Sequence, residues 1–117
     1  MRDGGRIVTI GSSAANRIAF PGISAYSMTK AAVQGLVRGL AVDLAPRAIT
    51  VNNVQPVPIA TDINPAAGPE MEHLMGMIHL RRYGTDDEVA SMVAYLATRD
   101  AGFVTGANLT VDGGYGL

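Results

Sequence analysis

Residues 25–56 read AYSMTKAAVQGLVRGLAVDLAPRAITVNNVQP, a helical pattern running directly into a strand. Val33, Leu36, Val37, Leu40, Ala41 and Leu44 recur at three- and four-residue spacing, which predicts a helix from Ala25 to Ala45, stopped by Pro46. Ile49-Thr50-Val51-Asn52-Asn53-Val54 is short and rich in β-branched residues; it reads as a strand ended by Gln55-Pro56. Upstream, Arg6-Ile7-Val8-Thr9-Ile10 follows Gly4-Gly5 and reads as a buried strand, with Gly11-Ser12-Ser13 opening a loop to Pro21-Gly22. Strand, helix and strand in that order argue for a parallel βαβ unit. Gly35 and Gly39 cost helix propensity, but one turn apart they clear a face for close packing. So little of this helix is polar that a sheet on one side and a partner helix on the other are expected.

Downstream, Pro56–Pro69 is a long Pro/Gly/Asn-containing segment of the kind that forms lids and binding loops. A short helix is expected at Glu70–Ile78. Thr85-Asp86-Asp87-Glu88 is a capping box that opens a helix to Ala97, with Val89, Val93 and Leu96 on its apolar stripe. Asn108–Val111 gives a final strand and Asp112-Gly113-Gly114 a turn. The fold class is therefore α/β. Three parallel strands make half of a doubly wound, Rossmann-like sheet, and the strand Arg6–Ile10 alone would leave an apolar edge bare. Residues 1–117 read as one partial domain.

Composition supports this. Hydrophobic residues are 48% of the chain and charged residues 16%, below the charged share of about 25% usual in globular domains, so much apolar surface needs cover. A net charge of −1 gives no electrostatic case for nucleic acid or an anionic membrane. The most apolar stretch, 31–45, is interrupted by Gln34, Arg38 and Asp43 and cannot span a bilayer. Met1-Arg2-Asp3-Gly4-Gly5 does not open a signal peptide, and a cytoplasmic protein is expected. Without Cys there is no thiolate metal site. His73 and His79 lack a third ligand at metal spacing, so no metal is expected.

Tyr26 and Lys30 are four apart and share a helix face. A free tyrosine is a poor acid or base at neutral pH, and a neighbouring ammonium favours its phenolate, which suits proton exchange with an alcohol–carbonyl pair. Such a pair also arises by chance on many helices. Ser12 and Ser13 add weight, because they follow a strand end where open α/β sheets place their ligands. A hydroxyl there can bind a substrate oxygen, although serines also merely tighten turns.

With these pieces in order, the sequence resembles the short-chain dehydrogenase/reductase family. The matching stretches are GGRIVTIGSS at 4–13, PGISAYSMTKAAVQGL at 21–36, ITVNNVQP at 49–56, RRYGTDDEVASMVAYLAT at 81–98 and FVTGANLTVDGG at 103–114. The resemblance implies Tyr26 as general acid/base, Lys30 as its electrostatic support and ribose anchor, and a serine holding the substrate oxygen. Spacing from Tyr26 selects Ser13 and alignment on the strand end selects Ser12; Ser12 is preferred, since the strand end fixes where its hydroxyl points. The cofactor implied is NAD or NADP, its nicotinamide end against Tyr26, Lys30, Pro56, Val57, Ile59 and Thr61. The partners implied are a small alcohol or carbonyl substrate and, through the helix 25–45, further copies of the chain.

Two departures stand out. Where the family carries Pro-Gly after the second strand, this chain has Pro56-Val57, and valine does not readily take positive φ and adds bulk beside the nicotinamide. The Gly-rich phosphate-binding turn and the residue that selects NAD or NADP match nothing in 1–117, so the dinucleotide-binding half is expected to be absent and this chain alone inactive. The stretch VQPVPIATDINPAAGPE at 54–70 resembles a bacterial branch of the family that includes a cyclic di-GMP-binding biofilm-dispersal protein. That supplies a non-catalytic alternative, a nucleotide-binding regulator; an inactive truncated product is a third. Arg81-Arg82 is read as structural or as a contact to an anion.

Overall fold

The computed structural model describes residues 1–62 and 67–117. Three strands form one parallel sheet in the order β1 (Arg6–Ile10), β2 (Thr50–Pro56), β3 (Asn108–Val111). Helix α1 (Ser24–Leu44) joins β1 to β2, and α2 (Pro69–Met77) and α3 (Asp86–Ala97) lie between β2 and β3. This is the expected α/β architecture, half of a doubly wound sheet.

Strand alternation sends side chains to opposite faces of β2, and each face has its own helix. Val51 joins Val37 and Ala41 of α1 and Ile49 in one cluster, with Ile7 of β1 beside it. Val54 joins Leu96 of α3 and Ala101 in another, with Val8 of β1 against it. A third cluster, Val57, Leu74, Ile78 and Tyr115, closes the carboxyl end of the sheet.

Some boundaries differ from expectation. α1 stops at Leu44, but Pro46 does not end the helical path; it sits inside a 3-10 turn, Ala45–Arg47, near whose start a missing N–H leaves no bond unmade. Ala48, at φ 52°, then turns the chain into β2. β2 itself runs on through Gln55 and Pro56, which pair with Thr110 and Val111 of β3. Pro56 is tolerated in a central strand because β1 has already ended: the ladder on that side stops at Ile10–Val54.

β2 also carries a polar ladder. Asn52, Asn53 and Gln55 are fully buried, and each amide bonds to its surroundings. Asn52 Nδ2 donates to Val104 O at 2.7 Å and its Oδ1 accepts from Ala107 N at 3.1 Å. Asn53 Nδ2 donates to Asn108 Oδ1 and its Oδ1 accepts from Thr9 Oγ1, both at 2.9 Å. Gln55 Nε2 donates to Ser12 O at 3.3 Å, and Asn16 Nδ2 donates to Gln55 Oε1 at 3.4 Å. Bonded amides escape the desolvation cost that buried unpaired ones incur.

The capping box at α3 is present, Thr85 Oγ1 accepting from Glu88 N and Glu88 accepting from Thr85 N. The face cleared by Gly35 and Gly39 meets no other part of the described chain: a Cβ on either would have no neighbour within 4 Å. No helix of the described residues is long and apolar enough to cross a membrane.

Candidate active site

The site lies at the carboxyl end of β1 and β2. Ser12 leaves β1 and caps a 3-10 turn, Ser13–Ala15, its Oγ accepting from Ala14 N at 3.1 Å. Ser13 Oγ donates to Pro56 O at 3.1 Å. The two hydroxyls therefore differ: that of Ser13 is committed to the end of β2, whereas Ser12 uses only a lone pair. Ser27 Oγ donates to Ala14 O at 2.7 Å and ties α1 to the same turn.

Tyr26 sits in the first turn of α1 and is 48% exposed, so its phenol is reachable. The Lys30 ammonium lies 5.7 Å from the Tyr26 ring centroid and donates to Ile10 O at 3.3 Å, so one side chain links α1 to the end of β1. Ser12, Ser13 and Tyr26 line a cavity of about 410 Å³ together with Pro56, Val57, Ile59 and Thr61. Lys30 stands behind Tyr26, outside that lining.

Val57 is a valine without glycine geometry. Ala48 and Arg81 are the non-glycine residues at positive φ among those described, and Val57 is not one of them. Its N–H donates to Val111 O at 3.3 Å and its side chain packs with Leu74, Ile78 and Tyr115. The backbone at this position is not at positive φ, and Val57 continues the β2 ladder. Its bulk does line the cavity.

Several contributors were invisible in the sequence. Arg17 Nη1 donates to Tyr115 O at 2.6 Å and to Leu117 O at 3.0 Å, and its guanidinium lies 5.4 Å over the Tyr115 ring. Tyr115 OH donates back to Arg17 O at 3.0 Å, so the loop after Ser13 is clasped to the C-terminal turn. Burial pushes the Tyr115 phenol above its ordinary pKa, against the opposing pull of Arg17. Phe20 lines the cavity and packs edge-tilted on His73 of α2, ring centroids 5.7 Å apart. Gln34 Nε2 donates to Asn16 Oδ1 at 2.7 Å, completing a chain of amides from α1 through Asn16 and Gln55 to the Ser12 carbonyl.

The remaining candidates have structural contacts. Arg82 makes a two-pronged pair with Glu88 at 2.9 and 2.6 Å, and Arg81 Nη1 donates to Gly76 O at 3.3 Å. Met71 and Met77 pack on the third core cluster, and Tyr83 OH donates to Met71 O at 2.6 Å. Burial raises the pKa of that Tyr83 phenol. The middle of the 56–69 loop, residues 63–66, lies outside the described residues. No group of three or more His, Cys, Asp or Glu among the described residues is placed to hold a metal.

A family model described as enoyl-(acyl carrier protein) reductase matches residues 1–116. A short-chain dehydrogenase/reductase from Serratia marcescens superposes at a TM-score of 0.97 with 51% identity, over 100% of this chain and 48% of that one. The chain belongs to the short-chain dehydrogenase/reductase family.

Within that family it falls in the bacterial branch of the cyclic-di-GMP-binding biofilm dispersal mediator protein of Escherichia coli (strain K12). Identity to that protein is 51% over 116 residues, covering 99% of this chain and 49% of the relative. A blue fluorescent protein from a metagenomic library, solved in complex with NADPH, superposes at a TM-score of 0.96 with 48% identity, over 100% of this chain and 47% of that one. The short-chain dehydrogenase/reductase chain described here thus spans about half the length of these relatives.

Proposed function

We propose that the chain is the catalytic half of an NAD(P)-dependent oxidoreductase that interconverts an alcohol and a carbonyl compound. The observation that carries this reading is the meeting of Ser12, Tyr26 and the loop 56–61 on one cavity, with Lys30 behind Tyr26. Tyr26 donates its phenolic proton to the carbonyl oxygen on reduction and takes it back on oxidation. Ser12, its proton uncommitted, holds that oxygen. Lys30 supports the phenolate electrostatically and is the family's anchor for the ribose. Pro56, Val57, Ile59 and Thr61 offer an uncharged, mostly apolar wall that fits a nicotinamide ring. The nicotinamide, when bound, supplies or accepts the hydride at its C4.

Among the described residues the pyrophosphate has no comparable seat. Helix N-termini attract anions, but α2 opens with Glu70 and Glu72 and α3 with Asp86, Asp87 and Glu88, which repel them, and the first turn of α1, Ser24–Ser27, has no acidic residue but no cation to add to its dipole either. A micromolar dinucleotide affinity needs about −8 kcal/mol, and each charge-assisted phosphate bond supplies about 1.5–3 kcal/mol of it. Residues 1–117 by themselves are therefore expected to bind NADH or NADPH no tighter than about millimolar in calorimetry. The same chain preceded by a Gly-rich dinucleotide-binding half is expected to bind NADPH at micromolar levels. Tyr26→Phe in that extended chain should abolish turnover and leave NADPH binding nearly intact. Micromolar binding by residues 1–117 alone would defeat this proposal.

The 51% identity to a protein named for cyclic di-GMP binding favours a second reading, a nucleotide-binding regulator on the same fold. Cyclic di-GMP binding that survives Tyr26→Phe, in an extended chain without turnover, would select it.

A further inference from the structure

Part of the cavity wall is apolar, made by Ala19, Phe20, Ile23, Val57, Leu74 and Tyr115, most of which also belong to one core cluster. Those residues come from four places: the loop before α1, the end of β2, helix α2 and the C-terminal turn. All six are apolar or aromatic, and none of the described residues lining the cavity is charged. The single hydroxyl in this set, Tyr115 OH, is spent on Arg17 O at 3.0 Å.

The nearby cations among the described residues are committed away from the apolar wall. The Arg17 guanidinium lies over the Tyr115 ring and is committed to the carbonyls of Tyr115 and Leu117. Lys30 reaches Ile10 O, and His73 is an exposed residue stacked outside Phe20. A carboxylate or phosphate seated among Phe20, Leu74 and Tyr115 would lose its water and find no counter-charge, which is strongly unfavourable.

We infer that the substrate is a carbonyl compound, or the matching secondary alcohol, bearing an uncharged, apolar substituent that packs against Phe20, Leu74 and Tyr115. The inference rests on the hydride-transfer reading for the carbonyl, and on the cavity wall alone for the apolar, uncharged substituent. An acidic group carried on that substituent would be disfavoured by the same wall.

Acetophenone and 4-acetylbenzoate differ by one carboxylate and test this directly. The probe is the methyl spectrum of isotopically labelled residues 1–117, read at Leu74 and Val57. Acetophenone is expected to shift the Leu74 methyls and to bind at least about tenfold more tightly than 4-acetylbenzoate. Phe20→Lys, at a half-buried wall position that tolerates a charge better than Leu74, should reverse the order. Equal or tighter binding of 4-acetylbenzoate to the unsubstituted chain, or no Leu74 shift with acetophenone, overturns the inference. Both compounds are then offered with NADPH to the extended chain. Leu74 shifts without turnover keep the substrate class and remove hydride transfer; turnover of 4-acetylbenzoate but not acetophenone keeps hydride transfer and removes the class.

Discussion

The side-chain amide of Asn53 occupies the space into which a side chain on Gly11 would project: a Cβ there would lie 2.7 Å from Nδ2 and 2.8 Å from Oδ1. Asn53 cannot retreat, because Thr9 and Asn108 hold its two ends and it is fully buried. Gly11→Ala is therefore expected to destabilise the chain by about 1–3 kcal/mol, by overpacking and not by backbone strain. The same change displaces Ser12, the next residue. Thermal unfolding of Gly11→Ala beside Gly5→Ala, where the nearest atoms to a Cβ belong to the flexible Met1 side chain and the Arg2 carbonyl, checks the claim.

Ser12 and Ser13 can be told apart by what each loses. Ser13→Ala removes the bond to Pro56 O and should cost about 1–2 kcal/mol of stability with little effect on turnover in the extended chain. Ser12→Ala should lower turnover by about 10²–10³-fold with NADPH affinity unchanged. The reverse pattern would transfer the substrate-oxygen role to Ser13.

The outer face of α1 is the expected association surface. Met28 and Val42 are 67% and 75% exposed, and Gly35 and Gly39 lie on the same side between them. Val42→Asp should shift sedimentation toward the monomer while moving stability by less than about 1 kcal/mol. Leu40 is an unsuitable probe, since it packs against the chain's own core. Unchanged sedimentation for Val42→Asp would leave this face without a partner copy.

Glu88 gives a pH signature. The Arg82 guanidinium, and then the Thr85 N–H, hold its carboxyl down to about 2 from an ordinary 4.5. A depressed acid adds stability that is complete above 4.5 and lost as pH falls toward 2. The melting temperature should thus decline across that interval, by a small amount because the pair is exposed. Glu88→Gln keeps the cap to Thr85 but has no proton to gain, and should flatten this part of the pH profile.

Elements built on repetition were legible from the sequence. β1, β3 and the α3 capping box stand where β-branched runs and Thr-x-x-Glu place them. The ends of α1 and β2 were less so, because Pro46 and Pro56 act through what lies beside them: a 3-10 turn in one case, the end of β1 in the other. For the site, the family pattern pointed to Ser12, Tyr26 and the loop 56–61, and these line one cavity. Arg17, Phe20, Leu74 and Tyr115 carried no local signal. Their positions depend on contacts across the chain, Arg17 to Tyr115 above all, and neither periodicity nor spacing encodes such pairs.

The amides along β2 have one more effect. An apolar strand can slide along its neighbours and still bury oil against oil. β2 cannot, because Asn52, Asn53 and Gln55 find partners on the 9–16 segment and on 104–108 at one alignment only. A shift by one residue would turn each amide to the opposite face, and a shift by two would strand them beside the wrong neighbours. Mispaired sheets thus carry several orphaned buried amides at once, so the central strand proofreads its own assembly.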